Sequence, residues 1–507
     1  MNETPPLEGH DLFTENRPLM EALARERAAW AAERCSAFGR LLTGEPLEWG
    51  RLANEHPPRV GDDGEVEFHP AWHELMRLSL AHGLHSLSWT DGRGGAHVAR
   101  AALFMLASQV EAGHGCPVSM THAAVPALRA AAPGLAAEWE PRLTSGEYGR
   151  GALCGMTMTE RQGGSDLRAN TMRATPAGGR YVLDGEKWFC SAPASDAFFV
   201  LAQAPAGLSC FLLPRGEGFR IRRLKDKLGD RSNASAEIEL TGAEAALVGE
   251  EGRGVRTILE AVVHTRLDCV LGTAAGMRQA VEQATHHAAH RRAFGALLAD
   301  QPLMRSVLAD LCLESEAATV TAMRLARAYD RRGEDAREAA FARIATAVAK
   351  YWICKRGPGH AAESLECLGG NGYTEEYGLE RLYRQQPLQS IWEGSGNVVC
   401  LDVLRALERE PETWEALLDE IRLAGDRELV DVAERAAAEA DERRARVAVE
   451  RLALALQASL LVRHAPPFVG DAFRAARLGP DGGNAYGALP AGIDAAAIVE
   501  RHRPRAA

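Results

Sequence analysis

The sequence predicts a mainly helical α+β protein in which helical segments flank a central β domain. Two observations support this prediction. Apolar residues recur at helical spacing on both sides of the centre, and runs rich in β-branched and aromatic residues dominate the segment from Gly151 to about Leu240. The chain has 507 residues, of which 46% are hydrophobic and 25% charged. Because this length exceeds what one hydrophobic core supports, we expect several domains.

The first expected domain, residues 1–150, is helical. Met20–Leu42 is rich in Ala, Glu, Arg and Leu, and Ala96–Glu111 carries an apolar stripe at helical spacing. The second, residues 151–243, is a small antiparallel β domain, because short apolar runs such as 197–203 alternate with Gly, Pro, Asp and Asn.

The third expected domain, residues 244–407, is a bundle of long helices joined by short loops. Apolar residues at helical spacing on two segments support this prediction. The first segment has Leu303, Val307, Leu311, Ala318, Ala322, Leu325 and Tyr329 on one face. The second has Phe341, Ile344, Val348 and Trp352 on one face.

The last expected domain, residues 408–507, is helical and its charge is divided. Residues 408–442 hold 13 acidic and 4 basic side chains, whereas residues 443–507 hold 10 arginines, 5 acidic residues and no lysine. The formal net charge of the whole chain, −11, counts at first against a nucleic-acid partner. The division along the chain predicts instead that any such binding is confined to its arginine-rich end.

Other classes of protein are excluded by what the sequence lacks. There is no apolar run of about 18 residues, no signal-peptide pattern, and no Rossmann, P-loop or hydrolase motif. The ten cysteines occur singly, which favours a reduced cytoplasmic protein with buried thiols. We expect no metal site, and we interpret the helically spaced His286, His287 and His290 as a solvated face.

Three segments carry residues suited to chemistry. In MTMTERQGGSD (156–166), two glycines flanked by hydroxyls can approach a flavin or phosphate, although an ordinary β-turn has the same composition. In GEKWFCS (185–191), Trp188 can cover a flat cofactor or belong to the β-domain core. In 365–397, Glu393 lies between a tryptophan and glycines. Its carboxylate can be desolvated there and act as a general base. The alternative is a helix C-cap with a solvated acid.

Together and in this order, these segments resemble the acyl-CoA dehydrogenase flavoproteins. RRAFG at 291–295 also resembles the element through which a neighbouring subunit contacts FAD in that family. The resemblance implies an N-terminal helical domain, a central β domain and a C-terminal four-helix bundle, with FAD as cofactor and Glu393 as catalytic base. The cofactor-binding residues that it implies are Met156, Met158, Thr159, Gly164, Ser165, Trp188, Phe189, Cys190, Ser191, Arg291, Phe294, Gln301, Gly369, Gly370, Ile391, Trp392, Gly394, Asn397 and Leu401.

More narrowly, MTERQGGSD, LKDKLGDRSNAS (224–235) and IWEGSGNVVCLDVLRAL (391–407) resemble the alkylation-response branch, the AidB type. This resemblance implies a homotetramer with weak isovaleryl-CoA-like dehydrogenase activity. It also implies an extra C-terminal helical domain that binds double-stranded DNA, and a role in protecting DNA or inactivating alkylating agents. The alternative is an ordinary metabolic short- or branched-chain acyl-CoA dehydrogenase without DNA binding.

The arginine-rich end supplies the residues for the DNA hypothesis, since guanidinium groups suit phosphate contact. The same arginines also suit a solvated helix face. The expected DNA-contacting residues are Arg443, Arg444, Arg446, Arg451, Arg474 and Arg477.

The chain departs from the family pattern at five positions, one of which is Gln385, where the family has an aspartate after the arginine that corresponds to Arg384. Cys190 replaces a hydroxyl residue, Glu366 replaces a glutamine, and Gln301 lies one residue earlier than the usual glutamine. The alternative base position of isovaleryl-type members falls on Thr265. These departures make efficient acyl-CoA oxidation a weaker expectation than cofactor binding.

Overall fold

The computed structural model describes residues 2–505, which divide into two compact units. The first comprises the chain up to Gly44, Arg93–Gln109 and the chain from Arg266 onward. The second comprises Glu45–Gly92 and Val110–Thr265. Each unit is therefore built from separated stretches of sequence.

Helices dominate the structure. In chain order they are α1 (Arg17–Arg25), α2 (Ala32–Leu42), α3 (Glu45–Glu55), α4 (Pro70–Ala81), α5 (Leu87–Thr90), α6 (Ala96–Val110), α7 (Gly115–Ala131), α8 (Pro133–Leu143), α9 (Gly254–His290), α10 (Pro302–Arg331), α11 (Ala336–Glu366), α12 (Leu379–Gln389), α13 (Gly396–Arg409), α14 (Pro411–Arg422), α15 (Arg427–Ala438), α16 (Ala445–His464), α17 (Pro467–Arg477) and α18 (Ala495–His502). Among residues 2–505, no helix combines the length and the apolar character needed to cross a bilayer.

The long helices α10 and α11 begin where local chemistry favours a helix start. Pro302 opens α10, where its missing N–H costs no hydrogen bond. The Asp335 side chain caps α11 by accepting the backbone N–H groups of Arg337 and Glu338. The expected long helices are confirmed, and the predicted apolar face of α10 is buried from Leu311 to Tyr329. The prediction is wrong for Leu303 in the first turn, which is 84% exposed.

The β domain is a single seven-stranded sheet with a mixed pattern of strand directions. Its strands lie in the order β3-β5-β4-β6-β7-β9-β8. The strands of this sheet are β3 (Cys154–Thr159), β4 (Arg173–Ala177), β5 (Arg180–Ser191), β6 (Ala197–Ala204), β7 (Gly207–Pro214), β8 (Phe219–Leu224) and β9 (Ser235–Val248). Two separate antiparallel pairs have strands of two residues each. They are β1 (Arg59–Val60) with β2 (Val66–Glu67), and β10 (Arg292–Ala293) with β11 (Ala296–Leu297).

The expectation of a purely antiparallel sheet is wrong at β6. This strand runs parallel to β3 over four residue pairs and to β4 at one pair, while its contact with β7 is antiparallel. Side chains alternate across the sheet, so that Leu183, Phe198, Phe211 and Ile238 form its core. Parallel pairing needs neighbours that are distant along the chain, and the turn residues between consecutive runs do not reveal it.

The interpretation of His286, His287 and His290 as a solvated face is wrong for the first two. His286 is 4% exposed and His287 3% exposed, because the N-terminal segment covers the end of α9. The Pro5 carbonyl lies 2.8 Å from His286 Nε2, and the Thr4 hydroxyl lies 3.1 Å from His287 Nδ1. Burial, with help from nearby positive charge, lowers the pKa of His287 to about 4.

The arginine-rich end of the chain is partly neutralised by acidic side chains of the same unit. Arg474 on α17 pairs with Asp426 at 3.1 Å, and Arg477 pairs with Glu314 on α10 at 2.9 Å. The Arg477 side chain is only 11% exposed. These two guanidinium groups are therefore occupied internally, which a count of charges along the sequence does not reveal.

All ten cysteines are free and buried. Burial raises the pKa of the Cys35 and Cys154 thiols to about 12, and that of the Cys400 thiol to about 11. The expectation of buried thiols is confirmed.

Candidate functional site

The first group of candidate residues lies where β3 ends and its loop begins. Glu160, 3% exposed, accepts a hydrogen bond from the Thr171 backbone N–H at 2.6 Å. The ammonium of Lys187, 1% exposed, lies 2.8 Å from Glu160 and donates to the Leu201 carbonyl at 2.6 Å. Because a buried charge requires a partner, this ion pair fixes the start of the loop to β5 and β6.

The charges of this pair are set by opposing effects. Burial acts to raise the pKa of the Glu160 carboxyl, but the charge of Lys187 and several hydrogen bonds lower it to about 2. Burial lowers the pKa of Lys187 to about 8, although Glu160 acts to raise it. Both groups are therefore charged near neutral pH.

The glycine pair of the loop allows the backbone to approach a hydroxyl group. Gly163 has φ +136°, and a Cβ added to Gly164 would lie 2.4 Å from Thr159 Oγ1. Within residues 2–505, the hydroxyls of Thr159, Ser165 and Ser191 form no hydrogen bond with the protein. They are therefore open to a bound molecule.

Strand pairing brings the loop and the tryptophan segment together. Met156 pairs with Ser191, and Thr159 pairs with Phe189. Trp188 directly precedes Phe189 on β5, and a register irregularity in β3 separates the two pairs. The predicted residues of both segments thus form one cluster in the second unit.

Exposure to solvent differs sharply among neighbouring residues of β5 in this cluster. Trp188 is partly exposed, with Lys225 Nζ 3.3 Å from its ring centroid and the Arg161 guanidinium carbon at 4.7 Å. Phe189 is 45% exposed. Cys190 belongs to the core of the sheet, so only its backbone is left to contact a cofactor.

The second group surrounds Glu393 in the first unit. Glu393 has φ +56°, and Gly394 has φ +105°. The left-handed conformation costs a residue with a side chain about 1–2 kcal/mol, and such strain is common at functional sites. Ser395 then occupies the N-cap position of α13. The segment 390–395, which we call the base loop, therefore aims Glu393 through an unusual backbone conformation.

Two cations hold the base loop by its carbonyl groups. Arg266 Nε donates to the Glu393 carbonyl at 2.9 Å, and its Nη1 donates to Asp402 on α13 at 2.8 Å. Lys350, 1% exposed, donates to the carbonyls on either side of Glu393, at 2.9 Å to the preceding one. The two carbonyl groups compensate for the burial of the Lys350 ammonium.

Sequence reasoning missed Lys350 and Asp402. Lys350 follows the apolar run 344–349 of α11 and occupies a core-facing position. A lysine is almost never fully buried without a partner, so a lysine at a core-facing position indicates that its ammonium contacts an acceptor. This signal was available in the sequence. Asp402 carried no such signal, because an acidic residue is ordinary on an amphipathic helix.

The remaining residues predicted near the base loop have varied surroundings. Gly369, with φ +61°, and Gly370 open a short 3₁₀ turn. Ile391 is 59% exposed and Leu401 is 40% exposed. The Trp392 indole donates to the Gln389 side chain at 3.1 Å.

Asn397 connects the start of α13 to the arginine-rich segment. Its side-chain oxygen accepts a hydrogen bond from Arg446 Nε at 2.9 Å. A residue predicted to bind the cofactor therefore contacts a residue predicted to bind DNA.

The RRAFG segment forms the β10–β11 hairpin. Phe294 at its tip is 99% exposed and has φ +52°. The Arg291 guanidinium donates to the Asn2 carbonyl, and the Gln301 side chain donates to the Ala293 carbonyl at 3.2 Å. These contacts hold the hairpin while leaving its aromatic tip in solvent.

Four of the predicted DNA-contacting arginines lie at the start of α16. Arg443 and Arg451 are exposed and form no ion pair within residues 2–505. Arg444 pairs with Glu439 at 2.9 Å while remaining 55% exposed.

The predicted site residues therefore form separate groups. Those from Met156 to Ser191 belong to the second unit. Those from Arg291 onward, including Glu393, belong to the first. The chemistry of the second-unit group fits a flavin, because open hydroxyls and a close backbone lie beside a partly exposed tryptophan.

Comparison with known families accounts for most of the chain. Residues 2–150 match the model described as the adaptive response protein AidB N-terminal domain. Residues 155–243 match the acyl-CoA dehydrogenase middle domain, and residues 252–408 match its C-terminal domain.

Individual relatives agree with these matches. AidB of Escherichia coli strain K12 is 48% identical over 441 residues, which cover 82% of this chain and 81% of the relative. The structure of Caenorhabditis elegans ACDH-11 in complex with C11-CoA superposes with a TM-score of 0.87 at 26% identity, covering 96% of this chain and 94% of that one. A Mycobacterium smegmatis glutaryl-CoA dehydrogenase in complex with FADH2 shares the fold, with a TM-score of 0.61 at 20% identity, over 78% of this chain and 94% of that one.

Proposed function

The chain belongs to the acyl-CoA dehydrogenase family, in the branch with an AidB-type N-terminal domain, and on this premise we propose a double function. The protein binds FAD and oxidises a short or branched acyl-CoA weakly, with Glu393 as the base. It also binds double-stranded DNA through the start of α16, and by shielding DNA or inactivating alkylating agents it serves the response to alkylation.

The conformation of the base loop carries the catalytic part of this proposal. Glu393 adopts a strained backbone conformation. Arg266 donates to the Glu393 carbonyl, and Lys350 donates to the carbonyls of the residues on either side. In the proposed reaction, a Glu393 carboxylate oxygen accepts the proton from the α-carbon of the thioester. FAD, when bound, supplies the acceptor for the hydride from the β-carbon. Thr159 and Ser191 would supply hydroxyls to the bound flavin, and Trp188 would contact it.

Glu393→Gln separates the base from the binding of the cofactor. The variant keeps the shape of the side chain, so we expect it to purify with FAD but to oxidise isovaleryl-CoA at least about 100-fold more slowly. The measurements are flavin absorbance and anaerobic bleaching by isovaleryl-CoA. The control is Glu408→Gln, an exposed acid at the far end of α13. Turnover at the wild-type rate in Glu393→Gln would refute the assignment.

Assembly into a homotetramer is part of the proposal. It is supported by the hairpin, whose aromatic tip Phe294 is 99% exposed, and by Leu303 nearby in the chain, which is 84% exposed. Two large, exposed apolar side chains within ten residues of sequence favour an interaction site over a solvated loop. In the family resemblance, this hairpin contacts the FAD of a neighbouring subunit.

The DNA-binding part is restricted to Arg443, Arg444, Arg446 and Arg451. Arg474 and Arg477 are left out because they pair with carboxylates of the same chain and are only 33% and 11% exposed, whereas the paired Arg444 remains 55% exposed. That internal pairing favours the alternative function, in which the C-terminal segment only supports the fold and the protein is a metabolic dehydrogenase.

A salt titration decides between these functions. We expect duplex DNA to bind at low salt and to dissociate as salt rises, since phosphate contacts release counterions. Replacing Arg443 and Arg451 together by Gln removes two contacts and lowers the slope of log K against log salt by about 2. The control replaces Arg409 and Arg427, which are exposed and ion-paired. Rapid flavin bleaching with no DNA binding at low salt would favour the metabolic enzyme.

A further inference from the structure

A cavity of about 470 Å³ lies within the first unit, between the end of α1 and helices α10, α11, α14 and α16. None of its lining residues belongs to the base loop or to the predicted cofactor and DNA sites. Its most prominent feature is the guanidinium groups of Arg25, Arg27, Arg324, Arg327, Arg337 and Arg463.

Carboxylates neutralise part of this positive charge. Arg324 donates to Glu338 at 2.8 Å and to Glu420 at 2.8 Å, and Arg463 donates to the other oxygen of Glu420. Arg25 donates to Glu26 at 2.9 Å. Beyond the lining itself, Asp330 contacts Arg327 and Asp419 contacts Arg337.

Donors remain open after these pairs are counted. Nη2 of Arg25 is buried and has no hydrogen-bond partner. Arg27 is exposed and forms no ion pair within residues 2–505. His464 also lines the cavity, and burial beside the arginines lowers its pKa to about 4, so it adds a neutral ring at neutral pH.

The backbone at Arg27 is strained and firmly held. Arg27 has φ +67°, in the position after a helix end where glycine is the usual residue. The Ala28 N–H donates back to the Leu23 carbonyl at 3.0 Å. A Cβ added to Gly95 would lie 2.5 Å from the Arg27 carbonyl, so the loop is packed tightly against Gly95. An arginine kept at a position that favours glycine points to a role for its side chain.

The cavity also offers an apolar wall. This wall is supplied by Leu423, which lines the cavity and is 63% exposed, whereas the Phe341 ring is 2% exposed with the Arg324 guanidinium 4.3 Å from its centroid. The volume falls in the range typical of sites for small organic molecules. A lone inorganic ion would leave much of this space and the apolar wall without contacts.

We propose that this cavity binds a small organic phosphate, with the phosphate group held by Arg27 and Arg25 and the organic part against Leu423. A phosphate group presents several acceptor oxygens to guanidinium forks. A carboxylate carries less charge, and it would compete poorly with Glu26, Glu338 and Glu420 for the same arginines. The ligand would contact α1, α11 and α14 together, and we therefore expect it to stabilise the fold of the unit.

Calorimetric titration with phenyl phosphate at constant ionic strength tests this site in the full-length protein. Arg27→Gly removes the guanidinium but suits the left-handed backbone, so this variant keeps its fold, which the melting temperature checks. The matched control is Arg220→Gln, an exposed arginine on β8. Benzoate, which presents a carboxylate on the same ring, tests the choice of anion.

We expect saturable binding of phenyl phosphate with a rise in Tm, about tenfold weaker binding to Arg27→Gly, and no change in Arg220→Gln. Benzoate should bind at least about tenfold more weakly than phenyl phosphate. The absence of saturable binding, or equal affinity in Arg27→Gly, would overturn the site. Equal affinity for benzoate would overturn the assignment to phosphates.

Discussion

Two loops carry the candidate chemistry, and a buried lysine holds each of them in a different way. In the β domain, Lys187 neutralises a carboxylate, Glu160, and donates to one carbonyl. In the helical unit, Lys350 donates to two carbonyls that flank Glu393. Both lysines are 1% exposed.

The difference between the contacts of Lys187 and Lys350 suggests different roles for the two lysines. At Glu160 the two formal charges cancel, so this contact fixes the loop without leaving a net charge. At the base loop, Lys350 instead donates to two backbone carbonyls, so it holds the segment that carries Glu393 through peptide dipoles. We infer that the first lysine serves mainly the fold and the second mainly the reaction.

Lys187→Met should give the largest effect on stability. It leaves the Glu160 carboxylate buried without its cation, and removing one partner of a buried pair costs about 3–5 kcal/mol. We expect the free energy of unfolding, measured with denaturant at neutral pH, to fall by that amount.

A matched double variant keeps this test specific. Glu160→Gln/Lys187→Met removes both charges and should recover much of the lost stability, since no lone charge then remains buried. A double variant as unstable as Lys187→Met would show that packing, and not charge, determines the effect.

Lys350→Met should cost less stability and more activity. Two carbonyls lose a donor, which we expect to lower the free energy of unfolding by about 1–3 kcal/mol. The base loop would then shift, and a displacement of about 1 Å at a reacting group can cost about 100-fold in rate. The measurements are denaturant unfolding and turnover of isovaleryl-CoA, each compared with Lys187→Met. If Lys187→Met lost more turnover per folded molecule than Lys350→Met, the proposed division of roles would be wrong.

Lowering the pH should also weaken the Glu160–Lys187 ion pair, with a smaller effect on the free energy of unfolding. The pKa of Glu160 is lowered to about 2 in the folded protein, from an ordinary value of 4.5. Its contribution is therefore present above pH 4.5 and is lost as the pH falls from 4.5 towards 2. We expect the wild-type stability to decline through this range, and the Glu160→Gln/Lys187→Met variant to decline less steeply.

The sequence predicted the elements whose signal is local. Helical periodicity identified α10 and α11, and alternating apolar runs identified β5, β6 and β7. It also predicted Glu393 and the 156–166 loop as candidate site residues, because glycines beside a carboxylate or hydroxyls mark such segments directly. The parallel pairing of β6, the burial of His286 and the Lys350 contacts depend on residues far apart in the chain. No pattern within one segment carries that information.

The arginine-rich segment illustrates the same limit in charge. Its positive excess is real, but Arg477 lies against Glu314, which is 163 positions away in the chain. Charge counted along a sequence measures composition, whereas binding depends on which charges are left unpaired at the surface.

The ten buried cysteines have a consequence for chemical durability. Soft electrophiles react with thiolates, and the fold both covers every sulfur and, at positions such as Cys35, Cys154 and Cys400, raises the pKa far above neutral. The folded chain therefore presents almost no thiolate to a reactive carbon compound. A protein built in this way can meet such compounds repeatedly without being consumed by them, and it becomes vulnerable only when it unfolds.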